Sequence, residues 1–393
     1  MFSLLLVIIY LSFISLGLPD SILGAAWPSM YEDMNVPISY MGIISMIISA
    51  GTVISSLMAD KFIRKIGVGL LTAFSVGMTA LALIGFSFSM QFWMLCLCAI
   101  PYGLGAGAVD SALNNYVALH YESRHMSWLH CFWGVGATIG PYVMGYCLTI
   151  GRRWNSGYRI IGFIQIGIVV ILALSLPLWN KVMSRFENES SAKKDNVAPQ
   201  KAMSLGQILA IPGAKMILTA FFCYCAAEAT TGLWASTFMV SVKGINAETA
   251  ASWASFFYIG ITLGRFVCGF FANKAGDKIM VRIGQGIVIL GCLLIMLPLP
   301  TFVSIPGILI IGVGCAPIYP SLLHETPENF GPEKSQAIMG VQMACAYIGT
   351  TLVPPLFGLL SDFISLKLYP YFIFVIIVLQ IVMVEVINRR KPA

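Results

Sequence analysis

Long apolar stretches alternate with short polar clusters along the whole chain, and this pattern predicts membrane-spanning helices. A helix needs about 20 apolar residues to cross the hydrocarbon core of a bilayer. The first apolar run has no basic region before it, so we expect a retained span and not a signal peptide. Breaking the chain at its polar clusters yields twelve segments, at residues 2–30, 38–59, 67–88, 91–118, 126–150, 158–180, 208–241, 249–272, 280–299, 302–323, 335–361 and 368–388.

One long polar stretch, residues 181–206, separates the first six segments from the last six. It contains five basic residues together with acids, serines and a proline, a composition typical of a flexible linker. We therefore predict an all-α membrane protein with twelve transmembrane helices in two six-helix bundles. The bundles are expected at residues 1–180 and 207–393.

The composition supports a lipid environment and excludes most other classes. Charged residues make up 10% of the chain, against about 25% in soluble proteins, and hydrophobic residues make up 58%. A soluble enzyme or a nucleic-acid-binding protein is therefore not expected. All ten cysteines fall inside apolar stretches, which disfavours disulfides and a metal site. No cofactor is predicted, because no nucleotide-binding or catalytic constellation is found.

The distribution of basic residues predicts the orientation of the chain in the membrane. With both termini on one side, seventeen of the 23 Lys and Arg residues fall on that side and five on the other. Basic residues accumulate on the cytoplasmic side of membrane proteins. We therefore predict a multi-pass plasma (inner) membrane protein with cytoplasmic termini and a cytoplasmic linker.

The two halves of the chain match each other at a constant spacing of 213 residues, which indicates an internal repeat. Two halves related by a parallel repeat are one of the arrangements found among secondary transporters. The matches are Gly51 with Gly264, Ala59 with Ala272, Lys61 with Lys274, Lys65 with Lys278, Gly136 with Gly349, Pro141 with Pro354 and Gly145 with Gly358.

The repeated segments also carry a family resemblance. Ser56-Leu-Met-Ala-Asp-Lys-Phe-Ile-Arg-Lys resembles the loop signature of the major facilitator superfamily, Gly-x-Leu-Ala-Asp-Arg-x-Gly-Arg-Lys, with departures at Ser56 and Ile63. Residues 107–116 and 128–141 resemble the fucose-permease-like branch, and particularly its members of the bypass-of-stop-codon type. Tyr224, Glu228 and Trp234 are similar to the same branch. The resemblance implies alternating access to a central cavity.

Three carboxylic acids lie inside predicted spans, where an ionisable side chain is costly unless it faces a cavity or a partner. Asp20 follows a proline, Asp110 lies four residues before Asn114, and Glu228 lies four residues after Tyr224. Each acid is a candidate to load and release a proton, and His130 is a candidate relay. The alternative, a permanently protonated acid in an interhelical hydrogen bond, stays open.

Aromatic and amide side chains on the same predicted faces suit a hydroxyl-rich solute. His130 and Trp133 lie three residues apart on one helix face, and an indole ring can stack on a sugar ring. Core packing of the histidine and interfacial anchoring of the tryptophans stay open as alternatives. The predicted solute-binding residues are Asn114, Asn115, His130, Trp133, Tyr224, Glu228, Trp234 and Gln342.

Charged residues near the repeated loops predict a gate. Asp60 and its basic neighbours could form a latch between the halves, and ordinary positive-inside charge is the alternative. The recurrence of the loop in the second half favours the gate. Arg265 is expected to snorkel toward the cytoplasmic side or to brace that gate, and not to bind the solute. The predicted gating residues are Asp60, Lys61, Arg64, Arg265, Asn273 and Lys274.

These features together predict a proton-coupled secondary transporter for a small neutral solute, with a sugar as the leading class. No Walker-type lysine motif is present to use ATP. The predicted partners are a sugar-like solute, protons and the lipid bilayer, with no nucleic acid, and the expected state is a monomer. A proton-driven efflux antiporter and a non-transporting membrane receptor stay open as alternatives.

Overall fold

The computed structural model describes residues 2–121, 123–190, 204–297 and 303–389, and nearly all of them are helical. The 3₁₀ turn Leu366–Leu368 precedes the last helix. The α-helices in chain order are α1 (Phe2–Asp20), α2 (Ile22–Met34), α3 (Tyr40–Ile66), α4 (Val68–Phe88), α5 (Phe92–His120), α6 (Ser123–Thr149), α7 (Trp154–Ser190), α8 (Leu205–Ala210), α9 (Ala214–Ser241), α10 (Ala247–Ala275), α11 (Asp277–Met296), α12 (Ser304–His324), α13 (Thr326–Phe330), α14 (Pro332–Phe363) and α15 (Tyr369–Asn388).

The predicted all-α membrane fold is confirmed. Within the described residues, eleven helical segments are long and apolar enough to cross a membrane. The first of these joins α1 and α2 into one span, Leu4–Met34. The helix is interrupted only at Ser21, two residues after Pro19, whose ring removes one backbone donor from the helix.

The fifth predicted segment, residues 126–150, corresponds to α6, which is not among these eleven. This helix is 27 residues long, enough to cross a bilayer, but glycines, tyrosines and a proline occupy many of its positions. It packs closely on both α1 and α10. Helix faces that meet other helices use small residues where lipid-facing helices carry aliphatic ones, which explains the lower hydropathy.

Small residues bring α1 and α6 together. A side chain at Gly136 would collide with the backbone of Ile14, and one at Gly140 would collide with the backbone of Leu18. The spacing of these two glycines therefore serves close helix packing. This contact sets the position of Asp20 on α1 relative to the side chains of α6.

The two halves pack in the same way. In the first half α1 contacts α6, α3 contacts α5, and α4 contacts α5 and α7; in the second half α9 contacts α14, α10 contacts α12, and α11 contacts α12 and α15. A shift of 213 residues maps each of these pairs onto its counterpart. The sequence repeat is thus a repeat of packing.

Two helix pairs between the halves, α6 with α10 and α3 with α14, correspond to each other, and α2 also contacts α9 and α10 of the second half. The 213-residue shift converts α3 into α10 and α6 into α14, so it maps the contact of α3 with α14 onto the contact of α10 with α6. A cavity between the halves is therefore walled by both repeats. The end of the molecule with the linker is called the linker face here, and the opposite end is called the distal face.

Contacts between the halves close the distal side of the molecule. Gly24 lies directly against the backbone of Leu233, Gly42 lies against Pro355, and Gly358 lies against Ser39. Gly24 and Gly42 leave room for the opposing half, because an added side chain there would collide with it, whereas a side chain at Gly358 would collide with Trp234 of its own half. In this conformation the route from the cavity to the distal face is closed.

The boundary between the first bundle and the linker differs from the expected one. Helix α7 continues to Ser190, so the first ten residues of the predicted linker, 181–190, belong to this helix. Residues 191–203 of the predicted linker lie outside the described residues, and α8 begins at Leu205 with a capping box between Ser204 and Gln207.

Candidate functional site

A cavity of about 360 Å³ lies between the two halves. Its volume is near the lower end of the range found for small-molecule sites. Both halves line it, with α1, α2, α3, α5 and α6 on one side and α9, α10 and α14 on the other. Its polar and aromatic lining includes Asp20, Ser45, Ser49, Thr52, Tyr102, Trp133, Glu228, Tyr258 and Thr350.

The carboxylate of Asp20 is the acid that the first half contributes to the cavity wall. The Trp133 indole N–H donates to Asp20 Oδ2 at 2.8 Å, and the Tyr102 hydroxyl donates to Oδ1 at 3.0 Å. Both donors are uncharged. The bonds orient the carboxylate from α5 and α6 without neutralising it with a cation, so a proton remains a possible partner.

The second half contributes Glu228, which faces Arg265. The Arg265 guanidinium lies 3.6 Å from Glu228 Oε1, and the two side chains are 16% and 20% exposed. The guanidinium carbon also lies 5.9 Å from the centroid of the Trp133 ring on the other half. The structure thus places Arg265 beside the cavity, ten residues before the end of α10, and its bracing of the gate stays a prediction.

Asp110 and Asn114 are neighbours, as their spacing predicts. The Asn114 amide donates to Asp110 Oδ1 at 2.9 Å and to the Asp110 backbone oxygen at 3.0 Å. Asp110 lies eight residues after Tyr102 on α5, which places it about 12 Å closer to the linker face. It does not line the cavity, although its charge interacts with Tyr319 and Tyr347 of the second half.

Four other predicted solute-binding residues lie away from the cavity lining. His130 packs edge-on against Phe13 with ring centroids 5.8 Å apart. The Tyr224 hydroxyl donates to the Cys315 carbonyl oxygen at 2.9 Å. Gln342 is fully buried and accepts from Thr326 at 3.0 Å.

Trp234 is the fourth. Its ring is fully buried, and its N–H donates to the Pro354 carbonyl oxygen at 2.9 Å. The ring also fills the space above Gly358. In this conformation it presents no surface on which a solute could stack, so its role here is packing of α9 against α14.

Most predicted gating side chains lie outside the described part of the structure. This holds for the side chains of Asp60, Arg64, Asn273 and Lys274, and for the solute-binding candidate Asn115. Lys61 is described and is exposed near the linker-face end of α3. The gating role of these residues stays a prediction.

The sequence analysis missed several lining residues whose spacing carries a signal. Ser45, Ser49 and Thr52 on α3 follow a helical period and form one polar stripe toward the cavity. On α10, Tyr258 precedes Arg265 by two helical turns, so both share a face. Tyr102 carried no such signal, because its partner Asp20 lies 82 residues away.

Metal ligation is not supported by the described side chains. Within the described ranges, no group of three or more His, Cys, Asp and Glu side chains is placed to hold a metal ion. All ten cysteines are free.

Comparison with known proteins adds the family and its relatives. A family model described as Major Facilitator Superfamily matches residues 9–354. The chain is 25% identical over 278 residues to bypass of stop codon protein 6 of Saccharomyces cerevisiae, a match that covers 67% of this chain and 56% of that protein.

Two bacterial transporters are also similar along most of the chain. The uncharacterized transporter y4wD of Sinorhizobium fredii is 23% identical over 365 residues, covering 89% of this chain and 90% of that protein. The glucose/mannose transporter GlcP of Bacillus subtilis is 22% identical over 331 residues, covering 80% of this chain and 77% of that protein.

Proposed function

Because the chain belongs to the major facilitator superfamily, we propose that it is a proton-coupled symporter that carries a small neutral solute across the membrane by alternating access. Sugars are the leading solute class. The observation that carries the proposal is the single cavity in which each half contributes one acid, Asp20 and Glu228. The multi-pass membrane fold is the architecture that transport across a bilayer requires.

The surroundings of the two acids differ, and this supports a division of roles. Asp20 accepts bonds only from uncharged donors, Tyr102 and Trp133, so it is free to exchange a proton with little rearrangement. Glu228 already faces the fixed positive charge of Arg265. A carboxylate in an ion pair is an acceptor for solute hydroxyls, and it gains less from a proton.

The solute class is inferred from the lining and from one relative. Hydroxyl and carboxylate groups line the cavity beside the Trp133 ring, a combination that binds polyols through hydrogen bonds and ring stacking. The one basic side chain described beside the cavity, Arg265, is paired with an acid, which disfavours organic anions. The glucose/mannose transporter GlcP is a distant relative that supports sugars as the first class to test.

The orientation and location belong to the same proposal. Basic residues concentrated on the linker face support a plasma membrane protein whose termini and linker are cytoplasmic. The proposed gating residues lie on that face, at the linker-face ends of α3 and α10.

The test is transport in vesicles that contain the purified protein. An inward proton gradient should drive uptake of a solute from a panel that includes glucose and mannose, and a protonophore should abolish the accumulation. Outward-driven movement of cationic dyes would favour the efflux antiporter instead. Binding of a panel member with no flux would favour a receptor and contradict transport.

A further inference from the structure

The side chain of Trp133 lies on the boundary between the halves and contacts a charged group from each of them. Its N–H donates to Asp20 of the first half at 2.8 Å, and its ring lies 5.9 Å from the guanidinium carbon of Arg265 in the second half. We propose that Trp133 and Arg265 are positioning residues that make the contact between the halves depend on the charge of Asp20. This inference uses from the proposed function only that Asp20 exchanges a proton.

The contacts within each half are expected to survive alternating access, whereas those between the halves are not. Asp20 and Trp133 belong to one half, and Glu228 and Arg265 belong to the other. When the halves rock as rigid bodies, each of these pairs moves as a unit. The stacking of Arg265 on Trp133 and the edge contact of Trp133 with Tyr258, at 6.2 Å, cross the boundary and must change.

The hydrogen bond to Asp20 strengthens the stacking of Arg265. An indole that donates its N–H to a carboxylate is polarised, so its ring face becomes more negative and attracts a cation more strongly. Protonation of Asp20 removes this polarisation.

The two donors to Asp20 respond differently to a proton. The Tyr102 hydroxyl can donate or accept, so it can turn to accept a bond from a protonated Oδ1. The Trp133 N–H can only donate, and it remains on Oδ2. The proton is therefore accommodated beside Tyr102, while Trp133 stays in place and loses only its polarisation.

Other ionisable groups surround Asp20, and a pH response must be separated from theirs. Those that face Asp20 or its partners are Tyr102 and Asp110 on α5, His130 on α6, Tyr158 on α7, Glu228 on α9, and Tyr258 and Arg265 on α10. Variants of Asp20 itself are therefore part of the test.

The consequence is a conformational preference with a defined sign. Ionised Asp20 strengthens the Trp133–Arg265 contact and so stabilises the described conformation, which is closed on the distal side. As pH falls and Asp20 takes a proton, this stabilisation is lost and the opposite conformation gains population.

Distances between spin labels on the linker face measure this preference without any solute. Lys65 and Lys334 are exposed near the linker-face ends of α3 and α14, which belong to different halves. We would label Lys65→Cys and Lys334→Cys in the full chain with its native cysteines replaced. When the pH falls from 8 to 5, the ratio of the population with a long label-to-label distance to the population with a short distance should fall. The expected change is about threefold or more, which corresponds to the lower end of the energies of cation–π contacts.

Variants decide whether the response runs through the proposed residues. Asp20→Asn should give the low-pH ratio at every pH, and Trp133→Phe should flatten the response. The matched control is Trp27→Phe, since Trp27 lies on α2, is fully buried and donates to the Ile38 carbonyl oxygen at 2.8 Å. This control should keep the full response.

Replacing Arg265 alone would leave Glu228 without its ion-pair partner, so both residues are replaced together. Arg265→Gln combined with Glu228→Gln should lose the response, whereas Glu228→Gln alone should keep it. A full pH response in Trp133→Phe or in the double variant would overturn the proposal, as would the absence of any response in the parent. Loss of proton-driven uptake with an intact response would contradict the proposed function and leave this inference standing.

Discussion

Asp20 is the residue on which proton coupling in the proposed mechanism most directly depends. Asp20→Asn keeps both donors near their positions but cannot exchange a proton. Accumulation driven by a proton gradient should therefore be abolished, while exchange of labelled for unlabelled solute continues. Vesicle uptake and counterflow measure the two activities on the same preparation.

The matched control for this variant is Asp33→Asn. Asp33 lies at the distal end of α2, where it pairs with Arg153 at 2.9 Å and accepts from Trp154 at 2.8 Å. This variant should retain accumulation. Full accumulation in Asp20→Asn vesicles would instead assign the coupled proton to another acid.

Asp110 is the second acid with a testable role. Its side-chain bond to Asn114 comes from its own helix, and it lies between the cavity and the linker face. Asp110→Asn should abolish gradient-driven accumulation while leaving solute binding and counterflow largely intact, because only proton movement is removed. Normal proton uptake by this variant, followed with a pH-sensitive dye inside the vesicles, would exclude Asp110 from the mechanism.

Trp133 and Trp234 are predicted to respond in opposite ways to replacement by alanine. Trp133 lines the cavity, so Trp133→Ala should weaken solute binding by about 1–3 kcal/mol. Trp234 is fully buried, so Trp234→Ala should lower unfolding stability by about 3–5 kcal/mol. Ligand titration and thermal unfolding separate the two effects, and a reversed pattern would exchange the assignments.

At the scale of helices, close packing of α1 on α6 holds Asp20 within reach of Trp133. Gly136→Leu forces a side chain into the backbone of Ile14 and should lower unfolding stability by about 1–3 kcal/mol. The matched control is Gly77→Leu on α4, since a side chain there meets no atom within 4 Å among the described residues. Equal melting temperatures for the two variants would contradict the packing role of Gly136.

At the scale of the whole molecule, glycines on the distal side allow the halves to close against each other. Gly24→Leu places a side chain against the backbone of Leu233 in the opposite half and should shift the population toward a state open on the distal side. Spin labels at Arg152→Cys and Lys367→Cys, both exposed on that face, should move apart. An unchanged distance together with normal transport would show that closure tolerates the added side chain.

The sequence by itself determined the features that the bilayer imposes. A span needs a long apolar run, and the 213-residue spacing of glycines and lysines reflects two halves built alike, so the all-α membrane fold followed directly. The family was indicated by the resemblance of the segment from Ser56 to a known loop signature. The same reasoning selected Asp20 and Glu228 as notable acids, because an acid in an apolar segment is costly without a function. Trp133 followed from its spacing to His130.

Only the tertiary structure decided which of these side chains meet. Helical periodicity shows which residues share a face but not how each helix is rotated or which helix it contacts. Asp20 and Trp133 are 113 residues apart and are joined only by the packing of α1 on α6. The packing of α9 against α14 buries Trp234, and the packing of α10 beside α9 brings Arg265 to Glu228. Both contacts join different helices, so no local sequence pattern records them.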